Sequence, residues 1–422
     1  MHGLVLLDEQ GNLLRNAILW CDQRTVAECE ELENALPDSG VRELTLNPVL
    51  PGFTAPKLLW VRRHQPDVFA RVRRLLLPKD YLRYRLSGSH ITDPSDASGT
   101  SLFGVSSGRW AREILDAVGL RPDMLPDVVA SHVAASRVTR EAAEATGLAA
   151  GTPIVGGAGD QAAGAVGCGA VSPGHVCASL GSSGVVFTPV DTPTCDPEGR
   201  LHTFRHAPED MWHLMGVTQA AGLSFRWLRE KVLGTAELSY QELDSEAASV
   251  PPGSGGLIYL PYLQGERTPH LDPYARGTFV GLTAHHTRAH IVRAVLEGVA
   301  MSLLDCLSLM REMGVSPSEV RLTGGGAASP LWAAMLADVF DEKVVLLSAD
   351  EGPAYGAALL AAVGVGVFPD IADACASCVR TGTELSPEPA RAAVYRRVYP
   401  VFRELYPRLA PVFKQLDQAG QA

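Results

Sequence analysis

A short apolar stretch, Pro153 to Gly156, runs into Gly157-Ala158-Gly159-Asp160 and then into a helix of small residues, Gln161 to Val166. No other feature constrains the fold as much. A buried-type strand that ends in glycines and hands over to a helix is a building block of layered α/β domains. Glycine lets the backbone and a ligand approach closely at the turn. The junction also puts a carboxylate, Asp160, at the mouth of the sheet, where α/β proteins bind their ligands. Taken alone, Asp160 reads equally well as a helix N-cap, a position aspartate favours. A dinucleotide fingerprint fits Gly157-x-Gly159-x-x-Ala162 only loosely, and it lacks the acidic residue about 20 positions on.

Two more glycine-rich turns follow. Ser179-Leu180-Gly181-Ser182-Ser183-Gly184 joins expected strands at His175–Leu180 and Val185–Pro189. Small residues on such a turn expose consecutive N–H groups that can cradle an anion, although they also suit a plain hairpin. Thr323-Gly324-Gly325-Gly326-Ala327-Ala328-Ser329 leads from a strand at Val320–Thr323 to a helix at Leu331–Phe340. It offers a flat backbone surface to a nucleotide base or ribose beside a helix N-terminus; a simple connecting loop is the alternative. The chain contains no G-x-x-x-x-G-K-[ST], so it is not a P-loop enzyme.

Elsewhere, periodicity predicts helices at Thr25–Leu36, Lys57–Arg63, Pro66–Arg74, Tyr81–Leu86, Ala289–Met313 and Ala354–Val363. Strands are expected at Gly3–Asp8 and Leu13–Leu19 around a turn at Glu9–Asn12, at Leu201–His206, at Trp212–Val217 and at Lys343–Leu347. A boundary near residue 170 divides the chain into domains 1–170 and 171–422.

The formal net charge of −11 argues against nucleic acid as a partner, since phosphate contacts need clustered Lys and Arg. The N-terminus carries no basic segment followed by an apolar one, and Tyr355–Phe368 is too short to span a bilayer. A cytoplasmic protein with no membrane partner is therefore expected. The eight cysteines are scattered, with only Cys375 and Cys378 as a C-x-x-C pair, and read as free thiols. His286 and His290 have helical i, i+4 spacing but no evident third ligand, and Trp212 and Trp227 read as core.

The three glycine elements together resemble the actin and sugar-kinase superfamily. Gly52-Phe53-Thr54-Ala55-Pro56-Lys57-Leu58-Leu59-Trp60-Val61-Arg62-Arg63-His64 looks like the first FGGY signature. Gly277–Leu282, followed by His290-Ile291-Val292-Arg293-Ala294-Val295-Leu296-Glu297, looks like the second. The chain is thus similar to the FGGY carbohydrate kinase family from residue 1 to about residue 405. Met1-His2-Gly3, Leu77-Pro78-Lys79-Asp80-Tyr81 and Gly265-Glu266-Arg267-Thr268-Pro269-His270 resemble the branch that acts on D-xylulose. Leu19-Trp20-Cys21-Asp22-Gln23-Arg24 does too, but with Cys21 where that branch usually has asparagine.

The resemblance implies a two-lobed actin-like/sugar-kinase (ribonuclease H-like) α/β fold. Residues 1–170 would bind the sugar and residues 171–422 the nucleotide. The implied activity is ATP-dependent phosphoryl transfer to an alcohol group, with ATP and Mg²⁺ as cofactors. Asp160 would be the general base, with Met1, His2 and Gln161 lining the sugar pocket. Ser179, Gly181, Ser182, Ser183 and Gly184 would hold the phosphates, and Gly325, Gly326 and Ser329 the adenosine. The resemblance implies an acidic residue that helps to place the metal, but not one in this sequence, so the metal residues stay open. Family members often form homodimers. Ribulose, gluconate, glycerol and fuculose are alternative substrates on the same scaffold, and a non-catalytic sugar-binding relic is an alternative function.

Members of the family begin with an Asp-x-Gly-Thr phosphate loop, which has no counterpart in this sequence. The expectation from sequence is therefore an N-terminally truncated first lobe, lacking on the order of 70 residues by usual element lengths, with negligible kinase activity of its own.

Overall fold

The computed structural model describes residues 1–36, 40–234, 237–348 and 352–420. They form two compact units. The first comprises Met1–Val171, Pro189–His213 and Glu351–Val379; the second comprises Ser172–Thr188, Leu214–Asp350 and Arg380–Ala422.

In the first unit, strand Val5–Leu7 pairs antiparallel with Arg74–Leu76. The expected return strand at 13–19 is only partly formed. Leu7 bridges Leu13, which in regular register would set Leu4 opposite residue 16; Leu4 meets Ile18 instead. The extra chain at Arg15–Ala17 is partly or fully exposed, so regular pairing is lost there. The expected helix at Pro66–Arg74 stops at Arg71. Val72 is extended, and Leu75 and Leu76 are buried against the first strand, so an apolar run ends this helix in favour of a strand.

Helix Pro78–Ser87 starts three residues earlier than expected, with Pro at its first turn, and ends at Gly88, whose φ is 72°. The early start places Lys79, Asp80 and Arg83 on neighbouring positions of one helical surface.

Helix Asp160–Gly167 follows strand Pro153–Val155 and lies against helix Gly352–Gly364. The contact needs bare backbone. A Cβ on Gly356 would fall 1.8 Å from the Ala163 carbonyl oxygen. Val166, Leu360, Val363 and Ala374 form the apolar core around this pair. Residues 352–379 therefore fold with the first unit, although the sequence-based division put them in the second domain. Residues 189–213 do likewise: the Asn47 side-chain amide donates to Thr203 O at 2.7 Å and accepts from Thr203 N at 3.0 Å. A single cut near residue 170 does not describe the compact units.

In the second unit, Glu319–Thr323 lies between the parallel neighbours His175–Leu180 and Val344–Leu347. Gly184–Val190 and Thr381–Leu385 extend this sheet antiparallel on either side. Helix Arg288–Glu312 is buried almost continuously from Val292 to Leu307. The C-terminal helix Pro389–Gly420 holds Pro400, Pro407 and Pro411, which argue against a helix in sequence. Its buried Tyr395, Phe402 and Phe413 nonetheless recur at helical spacing.

Among the described residues no helix is long and apolar enough to cross a membrane.

Candidate active site

The glycines before Asp160 each have a steric reason. A Cβ on Gly156 would lie 2.4 Å from Ala130 O, and Gly157 has φ 71°. A Cβ on Gly159 would lie 2.8 Å from Met1 Cε. Gly159 is the helix N-cap, so Asp160 is the first helical residue and not the cap that sequence alone allowed. Its N–H points at Met1 Sδ, 3.3 Å away, and its Oδ1 accepts from Gln161 N at 2.8 Å. Asp160 is exposed and Gln161 half-buried. Its carboxylate sits in the first turn of the helix, at the positive end of the helix dipole.

Met1 and His2 are fixed by a buried charge cluster. His2 has φ 50°, a left-handed conformation. Its backbone N–H donates to Asp96 Oδ1 at 3.3 Å, and its Nδ1 lies 3.1 Å from the same oxygen. Thr54 Oγ1 donates to His2 O at 3.0 Å. The ring sits edge-on to Phe53 and Phe204, with centroids 5.7 Å away in each case. Gly99 leaves it room, since a Cβ there would lie 2.1 Å from His2 Cε1. Lys57 Nζ ties down the turn before Phe53 by donating to the carbonyls of Pro51, Gly52 and Phe53.

Beneath His2, the side chains of Asp80, Asp93 and Asp96 are fully buried around Lys79. Lys79 Nζ lies 2.5 Å from Asp80 Oδ1, 3.1 Å from Asp93 Oδ2 and 3.8 Å from Asp96 Oδ2. Arg83 pairs with Asp80 and donates to the carbonyls of Gly156 and Ile91. Burial works against the Lys79 ammonium, but the three carboxylates outweigh it and raise its pKa. Burial would also raise Asp96, yet His2 and Lys79 hold its carboxyl below the usual range. At Asp93 burial prevails over Lys79, and the carboxyl is pushed up. Ser95 links this cluster to the catalytic candidate. Its hydroxyl donates to Asp93 Oδ1 at 2.6 Å and accepts from Gly159 N at 2.8 Å, fixing the residue that begins the Asp160 helix.

The second unit holds a cavity of about 430 Å³ lined by Gly181, Ser182, Gly325, Gly326 and Ser329, among others. That volume lies within the range of small-molecule sites. Phe225, Tyr240 and Trp332 supply aromatic walls. The turn is braced from outside: Gly222 N donates to Gly181 O at 2.8 Å, and Ala221 N and Leu223 N donate to Ser182 O. A Cβ on Gly326 would lie 2.7 Å from Leu180 Cβ and 3.2 Å from the Trp332 ring, whereas Gly325 faces open space. Ser329 caps helix Pro330–Phe340, its hydroxyl accepting from Trp332 N at 3.0 Å.

Ser179 and Gly184 are strand residues flanking the turn and do not line the cavity; neither does Ser183, which is exposed beside it. Gly184 is needed for packing, because a Cβ there would lie 2.6 Å from Thr218 Oγ1.

Among the described residues, no group of three His, Cys, Asp or Glu is placed to hold a metal. His285, His286 and His290 do cluster, but both ring nitrogens of His286 already face partners, Thr283 and Gly255 O.

Lys79, Asp93, Ser95 and Asp96 were not singled out as site residues in the sequence, nor were Tyr240, Asp244 and Trp332. The Asp93-Pro94-Ser95-Asp96 run carried a helix-start signal, with Asp93 capping and Pro at the first position. Its partners, His2 and Gly159, are far away in sequence and visible only in the fold.

The sequence pattern of the FGGY family of carbohydrate kinases matches this chain twice: its N-terminal domain at residues 1–167 and its C-terminal domain at residues 176–365. The xylulose kinase of Escherichia coli K12 is 40% identical over 413 residues, 98% of this chain and 84% of that protein. The xylulose kinase of Bacillus subtilis is 38% identical over 406 residues, 96% of this chain and 81% of that protein. The crystal structure of a xylulose kinase from Brucella ovis superposes with a TM-score of 0.90 at 39% identity, covering 98% of this chain and 84% of that one.

Proposed function

The chain belongs to the FGGY family of carbohydrate kinases, and on that premise we propose that it transfers the γ-phosphoryl group of ATP to the terminal hydroxyl of D-xylulose, giving D-xylulose 5-phosphate and ADP. The observation that carries this reading is Asp160 at a helix start, in contact with Met1 and braced through Ser95 and Gly159. Identity of 38–40% to xylulose kinases across nearly the whole chain supports D-xylulose over the family's other sugars.

Asp160 accepts the proton of the sugar hydroxyl as that oxygen bonds to the γ-phosphorus and the bond to the ADP oxygen breaks. A hydroxyl is too weak an acid to ionise first, so a carboxylate within hydrogen-bond reach is what the step requires. Met1, His2 and Gln161 position the sugar, and most of the remaining rate comes from alignment. Residues 1–170 carry these groups. In the 171–422 half, the backbone of Gly181 and Ser182 meets the phosphates, with Ser179, Ser183 and Gly184 shaping the turn. Gly325, Gly326 and Ser329 meet the adenosine.

Mg²⁺ usually binds through substrate phosphates and keeps several waters. It would accompany the nucleotide beside the exposed Ser182 and Ser183 hydroxyls and supply charge neutralisation at the transferring phosphate. A cytoplasmic setting is the reading that goes with the xylulose kinase relatives, which are 38–40% identical over nearly the whole chain.

The test is ADP release by the full-length gene product with D-xylulose, ribulose, gluconate, glycerol or fuculose as acceptor. The highest kcat/KM is expected with D-xylulose; a tenfold preference for another acceptor would reassign the substrate.

A further inference from the structure

Asp244 lines the nucleotide cavity but has no part in the transfer step described above. It lies one turn beyond Tyr240 on helix Tyr240–Ala248, so the two side chains share a face and both reach the cavity. The residue is only 8% exposed, yet its Oδ1 meets no hydrogen-bond partner among the described residues. Among those residues no charged group acts on it, although the exposed Arg226 lines the same cavity. Its one polar influence is the Ser329 hydroxyl, which only partly offsets the burial that raises its pKa. A buried carboxylate oxygen left without a donor is costly. The occupant of the cavity is the natural source of that donor.

A carboxylate is an acceptor only. The aromatic and glycine walls ask of a planar base only shape. The amine of adenine is flanked by ring acceptors that would repel a carboxylate. The vicinal hydroxyls of ribose, by contrast, offer donors without that conflict. Resting on the assignment of this cavity to ATP, we propose that Asp244 accepts a hydrogen bond from a ribose hydroxyl and makes the protein selective for ribonucleotides over deoxyribonucleotides.

The experiment is calorimetric binding of ATP, 2′-deoxy-ATP, 3′-deoxy-ATP and ITP to the wild-type protein, Asp244→Ala and Asp244→Asn. In the wild type, at least one deoxynucleotide is expected to bind about ten- to a hundredfold more weakly than ATP, the range for a hydrogen bond to a charged group. That ratio should fall to near one in Asp244→Ala. It should be intermediate in Asp244→Asn, which keeps the shape and one acceptor and so guards against a folding artefact. The ATP to ITP ratio should not respond to either substitution. A deoxynucleotide ratio unchanged in Asp244→Ala overturns the proposal, and so does an ATP to ITP ratio that collapses instead, which would place the contact on the base. Absence of ATP binding in the wild type would overturn the nucleotide assignment itself, a result distinct from ATP binding without Asp244-dependent selectivity.

Discussion

Buried carboxylates are treated differently in the two units. In the first, Asp80, Asp93 and Asp96 surround Lys79 and Arg83, and the cluster grips His2 and, through Ser95, the start of the Asp160 helix. In the second, Glu297 and Asp338 are paired with Arg293 and Arg391, but burial dominates at Glu266 and Asp305, as it does at Asp93 in the first. Glu266 is pushed up to about 8 although Oε1 accepts from Gln219 N and Arg267 N, and Asp305 is pushed up to about 7 although Tyr399 donates to it at 2.7 Å. At Asp96 the compensated charge holds its ionised form, and the cluster fixes the proposed base in place through Ser95. The cavity proposed for the nucleotide is shaped instead by missing side chains, at Gly325 and Gly326, and by aromatic walls. An acid–base centre depends on the position of charge, whereas a nucleotide slot depends mainly on volume.

The largest break in that contrast should come at the reacting group. Asp160→Asn is expected to lower kcat by about 10²- to 10⁴-fold, the usual contribution of general base catalysis. Affinities for ATP and D-xylulose measured by calorimetry should change by less than about threefold if only proton transfer is lost. A matching fall in D-xylulose affinity would instead make Asp160 a binding residue.

Removing the cation from the first cluster is next. Lys79→Met leaves three buried carboxylates with too little positive charge and should cost about 3–5 kcal/mol in urea unfolding. A loss below about 1 kcal/mol, the level of an exposed ion pair, would show that the cluster is hydrated and not a structural brace.

Gly326→Ala tests the volume side. The added methyl meets Leu180 and Trp332, so a cost of about 1–3 kcal/mol is expected. ATP affinity should fall while D-xylulose affinity is retained; equal loss of both would contradict the separation of roles.

The smallest effect concerns pH. The Glu266 carboxyl is raised to about 8 in the folded chain from an ordinary 4.5. As pH rises through 4.5 toward 8, the unfolded state gives up this proton and the folded state keeps it, so stability falls across that window and levels off above it. Glu266→Gln removes this term while its amide oxygen can still accept from Gln219 and Arg267. The loss of stability between pH 5 and pH 8 should therefore be smaller in the variant than in the wild type. Parallel curves would mean that Glu266 is ionised in the fold.

Much of this was legible in the sequence because the informative features are local. Asp160 and the turns at 181–184 and 324–326 are strand-to-turn junctions in which several glycines, among them Gly156, Gly184, Gly324 and Gly326, are required sterically, and such junctions show in a linear pattern. The helix at Arg288–Glu312 showed through its period. What stayed hidden was what sequence distance hides. Asp96 meets His2 across 94 positions, and Ser95 meets Gly159 across 64. Residues 352–379 join the first unit through glycine contacts at Gly356 and Gly364 that no periodicity announces. The final helix was masked by its own prolines.

The most direct test of the central claim is ³¹P NMR of the reaction between the full-length gene product, ATP and D-xylulose. The account predicts a pentulose phosphate esterified at the terminal oxygen, formed one for one with ADP and about 10²- to 10⁴-fold more slowly with Asp160→Asn. Binding of both substrates without any sugar phosphate, or an undiminished rate of its formation with Asp160→Asn, would contradict it.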